Sequence, residues 1–235
     1  MEQNVKTLYE NYSRKSDYTK LIKFINNEDG GEVASMEVSV FRRWVNISIS
    51  KNPVKKGVTI PKEDKFRSIN IPLVTAVNLY TFLYENVDKL DKEDTNFLYT
   101  LTKNEKVNDK NETVKLGVMY LGRDDKYVHC GLVLPQFKNV KFTFSNSMPG
   151  SKGSYIVSKN KDKVDEILLS KVDAKVYFKN VLKFLQGCMK EIDVLYNKVY
   201  PIKLKPRQAK EEVNVEVSTD NGVLDSEFEV GMDTL

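Results

Sequence analysis

The chain has 235 residues, 40% of them hydrophobic, which is enough for one large or two small domains with a real core and excludes a wholly disordered body. It shows no run of about 18 apolar residues and no secretory leader pattern, so the expectation is a cytoplasmic protein with no membrane partner. Its formal net charge of +4 conceals a division: residues 211–235 hold eight acids and no Lys or Arg, leaving 37 basic against 25 acidic residues before them.

Residues 1–17 read as an N-terminal arm or a short helix around Val5, Leu8 and Tyr12. The first unit, 18–94, opens with a β-prone stretch at 18–25 and a turn at the Asn-Asn-Glu-Asp-Gly-Gly run. Over 33–41, Ala34, Met36, Val38 and Val40 share one face, and Ser35, Glu37, Ser39 and Phe41 share the other. Arg42 and Arg43 make the corner. The next strand puts Val45, Ile47 and Ile49 inside and Trp44, Asn46, Ser48 and Ser50 outside, and a basic loop leads on to 66. The stretch 66–90 is a strand running straight into a helix, with Ile69 and Ile71 opposite Phe66, Ser68 and Asn70. Pro72 suits the first helical position, and Leu73, Val77, Tyr80, Tyr84 and Val87 form one apolar stripe.

The second unit, 95–200, begins with a strand at 96–102 and a very polar loop. Val114, Leu116, Val118 and Tyr120 form the better apolar face of the next strand, against Lys115, Gly117, Met119 and Leu121. Turn residues Gly122 to Lys126 lead to 127–134, where Val128, Cys130, Leu132 and Leu134 face in and Tyr127, His129 and Gly131 face out. Over 139–145, Val140, Phe142 and Phe144 are core candidates; a loop and a short strand at 155–158 follow. A helix over 173–199 carries Phe178, Val181, Leu185, Cys188, Ile192, Leu195 and Val199 in three-four alternation. That seam requires a partner surface: its own sheet, the 73–87 helix, or a second copy of itself in a homo-oligomer. Residues 201–210 are a basic linker and 211–235 an acidic tail read as disordered.

Catalytic constellations are scarce. His129 is the only histidine, so no His pair can bind a metal, and adjacent strand residues such as His129 and Cys130 point to opposite faces. Cys130 and Cys188 read as core thiols. The Pro-Gly-Ser-Lys-Gly-Ser stretch at 149–154 lacks phosphate-loop spacing. No enzyme activity, cofactor or metal is expected.

The polar side of the first sheet is more informative, because it carries Phe41, Trp44 and Phe66 among serines and asparagines, flanked by Arg42, Arg43, Lys51, Lys55, Lys56 and Lys65. Bases can stack on such rings while phosphates follow the basic edge. The competing reading is that the rings are packed under another part of the protein. Lys115 and Lys141 extend the candidate phosphate set, and Tyr127 the ring set.

The fold class expected is α+β, two related ββββα units of antiparallel sheet and trailing helix, with an OB-fold-like barrel as the alternative. This organisation resembles the Whirly and positive-cofactor-four class of single-stranded DNA-binding folds. The tail, with Glu227, Phe228, Glu229, Asp233 and Leu235, is similar to the acidic tails of bacterial and phage single-stranded DNA-binding proteins, although valines interrupt its acids and leucine ends it. The resemblance implies a virus-encoded, sequence-tolerant binder of single-stranded DNA, with RNA as the alternative ligand, serving replication, recombination or transcription. It also implies that the tail recruits replication or transcription proteins and competes with DNA for the basic groove. The alternative from another class is a structural or adaptor protein that oligomerises through the long helix and docks partners with its tail.

Overall fold

Alternating apolar and polar residues build the sheets, since side chains two apart along a strand share a face. The computed structural model describes residues 2–25, 31–57, 59–92, 96–107, 110–145 and 166–200. The elements are α1 (Glu2–Glu10), β1 (Ser13–Ile25), β2 (Glu32–Phe41), β3 (Trp44–Pro53), α2 (Lys62–Lys65), β4 (Phe66–Pro72) and α3 (Leu73–Asn86). They continue with β5 (Asn96–Val107), β6 (Lys110–Arg123), β7 (Val128–Val133), β8 (Phe142–Thr143) and α4 (Glu166–Val199). The fold is α+β: two four-stranded antiparallel sheets, ordered β1-β2-β3-β4 and β5-β6-β7-β8, each followed by a helix. Both are open meanders, not a closed barrel. Residues Met1–Pro201 make up one compact unit, so the two ββββα repeats share a core.

In the first sheet the alternation holds residue by residue. Ala34, Met36, Val38, Val40, Val45, Ile47, Ile49, Ile69 and Ile71 are all buried against the helices, each large one contributing about 1.5 to 3 kcal/mol over an exposed position. β1 begins at Ser13, so the last five residues of the expected arm belong to the sheet. A bulge between Lys15 and Lys20 interrupts its pairing with β2. Thr19 fills the bulge, its Oγ1 2.7 Å from Ser16 O and 3.0 Å from Val38 O, so one hydroxyl proton serves two carbonyls.

Pro72 is the last residue of β4 and caps α3 from outside, one position earlier than expected. It cannot donate, and the first helical N–H, on Leu73, donates to Arg43 O at 2.8 Å. The buried stripe of α3 is Leu73, Ala76, Leu79, Tyr80, Leu83 and Val87, rotated from the expected one, with Val77 and Tyr84 half-buried at its margin. Tyr80, common to both stripes, meets Phe178 of α4, ring centroids 6.3 Å apart.

The second sheet departs further from the sequence pattern. The polar stretch after Thr102 is not a loop; most of it continues β5 and β6 as a long hairpin. A bulge at Leu116 changes the parity of β6, because Leu101 pairs with Gly117 while Thr102 pairs with Lys115. Beyond the bulge the core side is Gly117, Met119 and Leu121, opposite Leu132 and Cys130 of β7 and Tyr99 and Phe97 of β5; the expected face of Val114, Leu116, Val118 and Tyr120 is only half-buried. Val140, Phe142 and Phe144 are buried as expected.

α4 starts at Glu166, two turns earlier than the apolar spacing indicates. Ser170 makes that early start stable: its Oγ accepts from Val128 N at 2.7 Å and donates to Phe144 O at 2.5 Å, joining the helix to β7 and to the residue that follows β8. Phe178, Val181, Leu185, Cys188 and Ile192 are buried within the chain's own core, where α4 packs on α3, α1 and the first sheet. Among the described residues no helix is long and apolar enough to cross a membrane. The strand expected at 155–158, the stretch 149–154, the basic linker and the acidic tail lie outside the described residues.

Candidate nucleic-acid interface

The β2–β3 hairpin turns in two residues, Arg42 and Arg43, so Phe41 and Trp44 are direct cross-strand partners. Arg42 takes a φ of 52°, a left-handed conformation that costs a non-glycine residue about 1 kcal/mol or more. Three contacts hold it there: Arg42 N donates to Tyr12 O at 3.0 Å, its Nε donates to Glu10 O at 2.7 Å, and Arg43 O accepts from Leu73 N. The aromatic pair thus stands on a corner braced by the N-terminal segment and the start of α3.

Register carries the outer face across the sheet in rows. Ser13, Phe41, Trp44 and Pro72 form one row; Lys15, Ser39, Asn46 and Asn70 the next; then Lys20, Glu37, Ser48 and Ser68; then Ile22, Ser35, Ser50 and Phe66. Phe41, Trp44 and Phe66 are 49%, 52% and 51% exposed. Six residues separate Trp44 from Ser50, so the two aromatic rows lie about 20 Å apart along the strands, with a band of serine and asparagine between them. Among the described residues the helices pack on the opposite, apolar side.

The aromatic ends differ in their surroundings. At one end Phe41, Trp44, Asn46 and Asn70 line an open cavity of about 370 Å³. The Arg42 guanidinium lies over the Phe41 ring, 5.1 Å from its centroid, and remains exposed. At the other end Lys55, Lys56 and Lys65, all exposed, lie in the connection that enters β4 at Phe66. Phe24, on the same face as Phe66 and 52% exposed, adds a ring that the sequence reading did not single out. Ile22 beside it and Tyr18 in the β1 bulge are exposed as well. Leu21 and Ile25 sit on the inner side of this strand, half-buried, so apolar residues occur on both faces of β1 and hide its period.

Several expected members do not join this face. Lys51 sits on the apolar side, 3% exposed, with its Nζ 4.6 Å from the Phe137 ring centroid. An odd-numbered residue of β3 points inward, and the ammonium is accommodated there by the ring face instead of by solvent. Arg43 turns back to α4, its guanidinium 4.1 Å from the Tyr196 ring centroid and Nη2 3.9 Å from Asp193. Lys115, Tyr127 and Lys141 belong to the second sheet and its turns. Lys141 Nζ is 3.0 Å from Asp124 Oδ2, and Asp124 Oδ1 accepts from the N–H groups of Lys126 and Tyr127. Burial opposes ionisation of Asp124, yet these bonds and Lys141 outweigh it and hold the carboxyl below its ordinary value.

His129 and Cys130 do point to opposite faces of β7, with Cys130 paired to Leu121 in the core. Burial pushes the Cys130 thiol far above its ordinary value, which leaves it a poor nucleophile. No group of three or more His, Cys, Asp or Glu among the described residues is placed to hold a metal.

No protein-family model and no curated protein matches the chain. Among solved structures it is similar to a chain of the Trypanosoma bruciei MRP1/MRP2 crystal structures, at 13% identity over 73% of this chain and 96% of that one, with a TM-score of 0.34.

Proposed function

We propose that this protein binds single-stranded nucleic acid, single-stranded DNA in the first instance, on the outer face of its first sheet, as a sequence-tolerant factor in replication, recombination or transcription. One observation carries the reading: Phe41, Trp44 and Phe66 stand about half-exposed on a serine and asparagine surface with cations at both ends. A folded chain gains by burying aromatic rings, so three on one polar face invite a ligand with flat apolar surfaces and a negative backbone. Unpaired bases and phosphates meet both demands. Arg42, Lys55, Lys56 and Lys65 are the phosphate partners, and Phe41, Trp44 and Phe66, joined by Phe24, are the stacking surfaces. Trp44 is the only tryptophan, so its fluorescence reports directly: titration with oligo-dT quenches it in this reading, and a spectrum unmoved by oligonucleotide and by salt refutes it. Removal of residues 211–235 is expected to tighten binding at low salt, because the eight acids compete with phosphate for the same cations. Unchanged affinity would dismiss the competing role of the tail.

The structural or adaptor reading draws support from a different surface. The seam of α4 is occupied internally, but Leu168, Val172 and Val176, spaced four apart, remain exposed near its start. That stripe, not the seam, is where oligomerisation through α4 would occur. Sedimentation of a Val172→Glu variant tests it, since loss of a higher oligomer would support this second reading.

A further inference from the structure

We infer that the cavity between Phe41, Trp44, Asn46 and Asn70 is a base-reading subsite, which gives an otherwise sequence-tolerant face a preference at one nucleotide. The inference rests on the nucleic-acid reading above and adds to it. Rings alone discriminate poorly between bases, because every base has a π-face. This end of the sheet differs because two amides lie beside its rings. Asn46 sits two residues beyond Trp44 on the same face, and Asn70 is its cross-strand partner. Asn46 Nδ2 donates to Asn70 Oδ1 at 2.9 Å. That bond orients both amides and leaves Asn46 Oδ1 as an acceptor and Asn70 Nδ2 as a donor on two residues that line the cavity.

A base stacked on Trp44 presents a neighbouring donor and acceptor on its Watson–Crick edge, and adenine alone does so on its Hoogsteen edge as well, the complement of an amide acceptor and donor. Arg42, exposed over Phe41 at the rim, supplies the charge that the adjoining phosphate requires. A neutral sugar ring would match the aromatic and amide groups but would leave that cation without a counterpart. The far end of the face has rings and lysines but no such amide pair across its register, since Phe66 is opposite Ser50 and Ser50 opposite Ser35. The selectivity is therefore local to one end.

The test measures binding of the full chain to oligo-dA, oligo-dC, oligo-dT and an abasic strand of equal length at one salt concentration. The wild type is expected to favour one base over the least favoured by about five- to tenfold, the scale of one well-placed pair of hydrogen bonds. Asn46→Ala and Asn70→Ala, both at solvent-facing positions, should level that series, Asn70→Ser should level it partly, and Trp44→Ala should weaken every base-bearing strand together. Equal affinity for all three bases in the wild type overturns the inference while leaving the binding reading intact. So does a preference that survives both asparagine substitutions, because it then belongs to the strands' own stacking. Failure of the wild type to bind any strand overturns the binding reading and this inference with it.

Discussion

Replacing Trp44 by alanine separates the role of the outer face in folding from its role in binding. The side chain is about half-exposed in the folded protein. A tryptophan fully buried hides roughly 150 to 250 Å², so about 100 Å² of ring contact is lost, or at most about 2.5 kcal/mol at 25 cal/mol per Å². Domains of this size are stable by about 5 to 15 kcal/mol, and the variant should fold, with an unfolding midpoint lowered by a few degrees. Binding should suffer in proportion more. Loss of one stacking partner removes about 1 to 3 kcal/mol, equivalent to about a 5- to 150-fold rise in Kd for oligo-dT. Phe66→Ala should have a similar effect, and because the two rings are about 20 Å apart and would take different bases, the double variant should be close to additive. Fluorescence anisotropy of a labelled strand reads the affinity, and circular dichroism checks the fold. A well-folded Trp44→Ala protein that binds within twofold of the wild type would refute the stacking argument outright.

Other consequences are accessible to simple measurements. If Arg42, Lys55, Lys56 and Lys65 each neutralise a phosphate, log K against log salt should have a slope near about −3, and Arg42→Gln should reduce its magnitude by about 0.7; a slope near zero excludes electrostatic contact. Lys51→Gln should leave that slope unchanged, because the ammonium lies on the apolar side against Phe137. Ser170→Ala should destabilise the protein by about 1 to 3 kcal/mol in urea melts, since it leaves the Val128 N–H and Phe144 carbonyl without their bridging hydroxyl; no change would mean that water replaces it. Asp124 is held below its ordinary value of 3.8, so its contribution to stability is present above that pH and is lost as pH falls through the depressed folded value. Acid titrations of wild type and Asp124→Asn should therefore converge at low pH; parallel curves would count against the assignment.

How far the chain could be read without coordinates varied with how one-sided each element is. β2, β3 and β4 each have one apolar and one polar face, so the inward set from Ala34 to Ile71 and the outward rings Phe41, Trp44 and Phe66 were legible from a period of two. β1 was not, since Leu21 and Ile25 lie inward while Ile22 and Phe24 lie outward, and Phe24 carries no periodic signal for that reason. Composition alone makes Lys51 a surface charge, whereas its odd-numbered position in β3 puts it with Ile49 and Ile47. In β6 both faces have apolar residues, so alternation does not decide which is core, and the pairing with β5 and β7 puts Met119 and Leu121 inward. The early start of α4 depends on Ser170 bridging β7 and the segment after β8, which leaves no periodic trace.

The amino-acid order alone determined the ββββα repeat, the apolar side of the first sheet and the ring-bearing polar side, because these follow from side-chain alternation and turn chemistry within a few residues. Only the tertiary structure decided which cations accompany the rings. Lys51 and Arg43 are drawn to Phe137 and to Asp193 and Tyr196 respectively, partners far away in the chain, and Lys141 to Asp124 across a turn of its own sheet. It also decided the cavity, since the meeting of Asn46 with Asn70 depends on the register between two strands separated by a long connection. Local pattern sets the direction a residue faces, and long-range packing sets what it meets there.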